Sequence, residues 1–313
     1  MTWGQAMRAS LGATLARPRW WLLALAGFLV RGGIVLLVVP IVVLPTVAGL
    51  SIALAPLLGD IVMGGSPGSA LAVLVSILAA IALGVILSGL AGTWFDLTLL
   101  DDAVAVPGIG ANDPGRSQSL SRAFSARLAA HLLTAVAAGF AAVRIVDATY
   151  GELVAPTHPG VPLVLRVVIA APEAVAVLGL AWVLAEASGG ASLRRFASAG
   201  GGGSISAAIV AGFRTVFRAS GLATLVVTDL AVVAAGVPLW IVASLAFDNV
   251  RTVVSDGGSA PALGLALVIL ILAWAAGLWL LGIGLAWRAT AWTAESLRHL
   301  RPASEGNPIV NAA

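Results

Sequence analysis

Six apolar runs constrain this chain more than any other feature: about residues 20–43, 69–94, 124–148, 161–185, 222–247 and 263–287. Each reaches the roughly 20 residues that a bilayer-crossing helix needs. Inside hydrocarbon every backbone N–H and C=O must be satisfied within the spanning structure, so uninterrupted runs of this length predict helices. The composition agrees, with 60% hydrophobic and only 10% charged residues, where a soluble domain carries about 25% charged. The expected fold is all-α, a polytopic membrane protein with six transmembrane helices. The run from Trp20 to Pro45 exceeds the ~7–15 residues of a signal-peptide core and reads as a retained first span. Residues 46–58 are apolar but short and contain Pro56, which predicts a re-entrant or interfacial piece or an extension of the first helix.

Arginine placement orients these spans. All 17 basic residues are arginine, a bias of high-GC bacterial genomes. Arg8, Arg17 and Arg19 precede the first span, and Arg116, Arg122 and Arg127 surround the start of the third. Arg194, Arg195, Arg214 and Arg218 lie between the fourth and fifth, and Arg288, Arg298 and Arg301 follow the sixth. The opposite loops hold only Arg251, beside Asp60, Glu152, Asp248 and Asp256. The positive-inside rule then places both termini in the cytoplasm of a bacterium, with the spans in its inner membrane. The basic excess sets topology rather than marking a nucleic-acid binder.

The chain also repeats itself. Gly89-Leu90-Ala91, Gly179-Leu180-Ala181 and Gly284-Leu285-Ala286 each close an even-numbered span, and the last two continue into Trp182 and Trp287. Before the odd-numbered spans, apolar residues recur every fourth position: Trp3, Met7, Leu11; Leu120, Phe124, Leu128; Ile205, Ile209, Phe213, Phe217. Arg8, Arg122, Arg214 and Arg218 flank them. This spacing predicts an amphipathic helix with its apolar face among acyl chains and its arginines at anionic headgroups; the alternative is the wet first turn of each span. The expected organisation is a single membrane domain over 1–300 with units at about 1–105, 115–196 and 204–300, and a short polar cytoplasmic tail at 301–313. The units share one orientation, so the inverted repeats of many secondary carriers are not visible.

Ionisable groups at membrane depth cost about 2.5–3.5 kcal/mol on insertion scales, and each raises a functional hypothesis. Arg31 is central in the first run, Glu173 is central in the fourth after Pro172, and Asp229 lies in the cytoplasmic half of the fifth. Arg144 and Arg166 occupy outer parts of the third and fourth, with Asp147 nearby and His131 in the cytoplasmic third of the third. Arg31, Arg144, Arg166, Glu173 and Asp229 form the candidate intramembrane polar site. In a structural reading Arg31 pairs with Glu173 or Asp229, and Arg144 and Arg166 snorkel outward. In a functional reading Arg31 and Arg166 meet an anionic group such as a lipid phosphate, and Glu173 or Asp229 handles a proton or cation. Glycines such as Gly27, Gly139 and Gly277 permit close helix packing. Trp20, Trp21, Trp94, Trp182, Trp287 and Trp292 read as an interfacial belt. Pro40, Pro172 and Pro238 read as kinks.

Catalytic patterns are missing from the sequence. There is no cysteine, and no GxxxxGK[ST], HExxH or GxSxG pattern. His131, His158 and His299 are scattered. The expectation is no enzyme, no cofactor and no metal. The Phe- and Arg-bearing helices before the spans, and the exit Trp287-Arg288-Ala289-Thr290-Ala291-Trp292, resemble poorly characterised bacterial multipass proteins similar to the membrane domain of glycerophosphodiester phosphodiesterases. That resemblance implies a membrane module without the soluble catalytic barrel. The expected function is a non-enzymatic module that scaffolds partners or organises lipids. Its partners would be the bilayer, anionic headgroups, and a membrane protein or a second copy. The alternative is a transporter or lipid-handling protein with a buried polar cavity around Arg31, Glu173 and Asp229.

Overall fold

The computed structural model describes residues 1–34, 67–106, 109, 119–158, 163–198 and 204–298, and the regular structure among them is helical throughout. Among the described residues ten α-helices follow in chain order: α1 (Trp3–Leu15), α2 (Pro18–Phe28), α3 (Pro67–Val104), α4 (Leu120–Ala130), α5 (Leu132–Val154), α6 (Leu163–Ala170), α7 (Pro172–Ser198), α8 (Ile205–Val216), α9 (Ala219–Ser255) and α10 (Ala260–Arg298). Five stretches of the described residues are long and apolar enough to cross a membrane: Leu71–Val104, Leu120–Val154, Pro172–Phe196, Ala219–Ser255 and Ala260–Arg298. Along α3, Leu71, Ile81 and Leu87 are each 57–60% exposed, and apolar side chains are bare on every side of the helix. A helix apolar all round is a helix for lipid. These are the features of a multipass membrane protein.

Local signals explain the helix ends. At the start of α1, Thr2 Oγ1 accepts from the Gln5 amide at 3.3 Å and Gln5 Oε1 accepts from the Thr2 amide at 2.8 Å, a reciprocal cap. Pro18 opens α2 where its missing N–H costs nothing. The corner between them is held by Trp21 Nε1 donating to the Thr14 carbonyl at 2.8 Å.

Several boundaries differ from the expected spans. Of the first run, residues 20–34 are described; its remainder, the 46–58 segment and the 301–313 tail lie outside the described residues. The third run is broken at His131 between α4 and α5. The fourth is shifted: the long helix begins at Pro172, after α6 has ended at Ala170. Proline lacks an amide to continue a helix but suits a helical first turn. Glu173 therefore sits in the first turn of α7 rather than mid-helix. Pro238 lies within α9, which runs on through it.

The chain forms two compact units, one of Met1–Ile41, Leu90–Ala130 and Glu186–Ala313, the other of Val42–Gly89 and His131–Ala185. In the first, α10 packs against α9, α2 and α1. Its apolar core gathers Ala6, Met7, Trp20, Leu99, Ala286 and Ala294. The face of α1 expected among acyl chains is thus covered by protein at Met7. Small hydroxyl residues make that approach possible: the buried Thr14 and Thr290 hydroxyls lie 2.8 Å apart, Trp287 Nε1 donates to Ser10 Oγ at 3.2 Å, and Trp3 Nε1 donates to Thr224 Oγ1 at 2.9 Å. Trp20 and Trp292, expected in an interfacial belt, are 1% and 3% exposed and belong to this interior. Between α9 and α10, Gly277 admits Leu239; a Cβ there would fall 2.8 Å from Leu239 Cβ. In the second unit, Ala141 of α5 meets Ala171 and Ala174 at the α6–α7 break.

Candidate functional site

Arg31 lies where α2 stops being regular. The chain kinks within Leu29–Gly33, where Arg31 at φ −79°, ψ 15° and Gly32 at φ 98°, ψ 0° leave the helical conformation. A positive φ of that size favours glycine. The kink lays the Arg31 side chain across Gly92 of α3, where a Cβ would come within 2.6 Å of Arg31 Cγ. Arg31 Nη1 donates to Asp96 Oδ2 at 2.6 Å, and its Nη2 lies 3.9 Å from Glu186 Oε1.

Arg127 of α4 donates from Nη1 to the same Asp96 oxygen and from Nη2 to Glu186 Oε1. Arg31, Asp96, Arg127 and Glu186 therefore close a ring of alternating charge, contributed by the kink after α2, α3, α4 and α7. Gly189, one turn beyond Glu186, leaves room for the Arg127 stem; a Cβ there would sit 3.3 Å from Arg127 Cγ.

Two further arginines stand beside the ring. Arg194, buried on α7, donates to Thr293 Oγ1 at 3.0 Å, the Gly190 carbonyl at 2.8 Å and the Ala289 carbonyl at 2.9 Å, all neutral acceptors. Arg288 of α10 places Nε 2.5 Å from Asp229 Oδ1 of α9, an ion pair not aligned as a hydrogen bond. A cavity of about 50 Å³ is walled by all four arginines, Asp96, Glu186 and the indole of Trp292. This is room for a few waters or one small polyatomic ion.

The second unit holds separate pairs. Arg144 donates from Nε and Nη2 to Glu173 Oε1 at 3.0 and 2.8 Å, with Asp147 3.5 Å from its Nη1. Both partners are about half exposed. Arg166 donates to the Glu152 carboxylate at 3.0 Å and to its carbonyl at 3.1 Å, and both side chains are buried. Glu152 also accepts from the Thr157 amide at 3.2 Å and hydroxyl at 2.8 Å, pinning the turn after α5.

The expected partner choices are thereby corrected. Arg31 answers to Asp96 and Glu186, not to Glu173 or Asp229; Glu173 answers to Arg144, and Asp229 to Arg288. Arg166 is buried against Glu152, which lies in the last turn of α5, rather than reaching outward. Sequence reading treated Arg127, Arg194 and Arg288 only as topology signals, and passed over Asp96 and Glu186. A signal for the two acids was present: each lies seven residues after the glycine of a Gly-Leu-Ala tripeptide, Gly89 and Gly179.

Arg195, Arg214 and Arg218 converge on an open groove of about 470 Å³ walled also by Val210 of α8, with no carboxylate among the described residues that line it. Phe217, 59% exposed, follows α8 directly. Among the described residues no three His, Asp or Glu side chains are grouped as metal ligands would be. No family model matches the chain, and no curated protein or solved structure matches it.

Proposed function

We propose that this chain is a non-enzymatic module of a bacterial inner membrane that gathers anionic lipid beneath its cytoplasmic face and so provides a platform for a membrane-protein partner or a second copy. The observation that carries this reading is the groove of Arg195, Arg214 and Arg218 beside exposed Val210 and Phe217. Three arginines around one groove, next to bare apolar side chains, suit a phosphate headgroup with its acyl chain alongside. In this reading the chain has six spans in three units, each an interfacial helix and a hairpin, with both termini cytoplasmic. Helices α4 and α8 keep the interfacial role that α1 does not have. The likeness to phosphodiesterase-associated membrane domains belongs to the same proposal.

The test is lipid enrichment. The protein is reconstituted in nanodiscs of phosphatidylcholine with increasing phosphatidylglycerol, and the lipids retained after extraction are counted by native mass spectrometry. Phosphatidylglycerol should be enriched. Arg214→Gln with Arg218→Gln should reduce the preference roughly tenfold, since each interfacial arginine contributes about 1 kcal/mol before screening. Equal retention of both lipids by the unaltered protein would refute the proposal.

A further inference from the structure

The cavity beside the ring of alternating charge has an unbalanced wall. Among the described residues four arginines line it, and only Asp96 and Glu186 oppose them. Counting Asp229 through its pair with Arg288 still leaves one positive charge in excess. That excess is largely Arg194, which donates to two carbonyls and a hydroxyl. An uncompensated charge in a poorly solvated interior is costly.

A second observation is independent of charge. The Trp292 indole is 3% exposed and forms part of the same wall, yet its Nε1–H has no acceptor among the described residues. Arg288 Nε likewise lacks an aligned acceptor. Buried indole N–H groups usually find a partner. The unused groups are all donors. A wall with surplus positive charge and surplus donors complements a compact anion rich in acceptor oxygens.

We propose that this cavity binds a phosphate group, with Arg194 and Arg288 supplying charge and Trp292 a directional N–H donor. The ring of Arg31, Asp96, Arg127 and Glu186 holds one side of the cavity in place. The phosphate comes either from a lipid headgroup or from free phosphate; the cavity chemistry is the same for both. This inference stands apart from the surface groove, because none of its residues lines that groove.

The experiment uses the full chain, purified in detergent and stripped of lipid. Its thermal midpoint is followed while inorganic phosphate is added in one arm and dihexanoyl phosphatidic acid in another, with sodium chloride at matched ionic strength as the reference. A saturable rise with phosphate assigns free phosphate; a rise with the short-chain lipid alone assigns a headgroup. Trp292→Phe removes the donor and keeps an aromatic side chain. It should lower the ligand-free midpoint through lost packing and, separately, weaken ligand binding about tenfold, the value of one charge-assisted hydrogen bond. Arg194→Gln should remove the rise; where that variant does not fold, Trp292→Phe decides alone. Arg214→Gln with Arg218→Gln should leave the rise intact, which separates this site from the groove. No rise beyond the chloride reference in either arm, or a rise unaltered in Trp292→Phe, would overturn the inference.

Discussion

Arg31 at the kink after α2 and Asp96 on α3 are joined at 2.6 Å, and Arg127 of α4 bonds the same Asp96 oxygen. One carboxylate thus holds three separated segments of the chain. Each guanidinium in turn has two carboxylates in reach, so the ring resists loss of any single contact but not loss of a carboxylate.

Asp96→Asn should therefore be among the most damaging single substitutions. It strands Arg31 and Arg127 with half their compensation, and breaking a buried pair costs about 3–5 kcal/mol. Adding Arg31→Gln should recover part of the loss, a coupling of about 0.5–3 kcal/mol. Equilibrium unfolding in mixed micelles measures both. Additive losses would mean the pair seen here is not energetically coupled. Glu173→Gln combined with Arg31→Gln should show no such recovery.

Space for Arg31 depends on Gly92 as much as its charge depends on Asp96. A Cβ at Gly92 meets the Arg31 stem at 2.6 Å. Gly92→Val should displace the guanidinium and approach the Asp96→Asn loss, whereas Gly84→Val, with nothing within 4 Å of its Cβ, should be tolerated. Similar midpoints for the two valine variants would contradict this.

Gly32 tests the backbone rather than the side chain. At φ 98° an L-residue is strained, so Gly32→Ala should destabilise by about 1–2 kcal/mol. The strain should also loosen Arg31, read as faster hydrogen exchange across residues 27–34. Unchanged exchange with unchanged stability would show that the turn is not held at Gly32.

The Glu152 carboxylate pins Thr157 and Arg166 together. Glu152→Ala should free the turn after α5, seen as new proteolytic cleavage near residues 155–158 with the rest of the chain intact. Protection equal to that of the parent protein would remove Glu152 from that role.

Arg144 and Glu173 present the opposite case. Their pair is half exposed and touches few other groups, so replacing both with leucine should leave stability equal or higher. Arg144→Leu alone should lower it by leaving Glu173 without its main partner. A double variant weaker than the single one would assign the pair a role beyond charge neutralisation.

Much of the architecture was legible in the sequence. Run length and composition determine that the chain is helical and built for a membrane, because hydrocarbon allows little else to 20 apolar residues. Helix starts were written locally, in Thr2 with Gln5 and in Pro18 and Pro172.

Which charges meet was decided only by the tertiary structure. Position along a run gives depth but not azimuth, and a guanidinium takes the nearest carboxylate in three dimensions. Arg31 turned to Asp96 and Glu186 because a kink at Gly32 and bare glycine at Gly92 re-aim it, neither of which follows from hydropathy. The same holds for α1, whose four-residue apolar spacing fits a lipid surface and a protein groove equally well. Ser10 and Thr14 found hydroxyl and indole partners on α10, and protein covered the face that periodicity alone left to lipid.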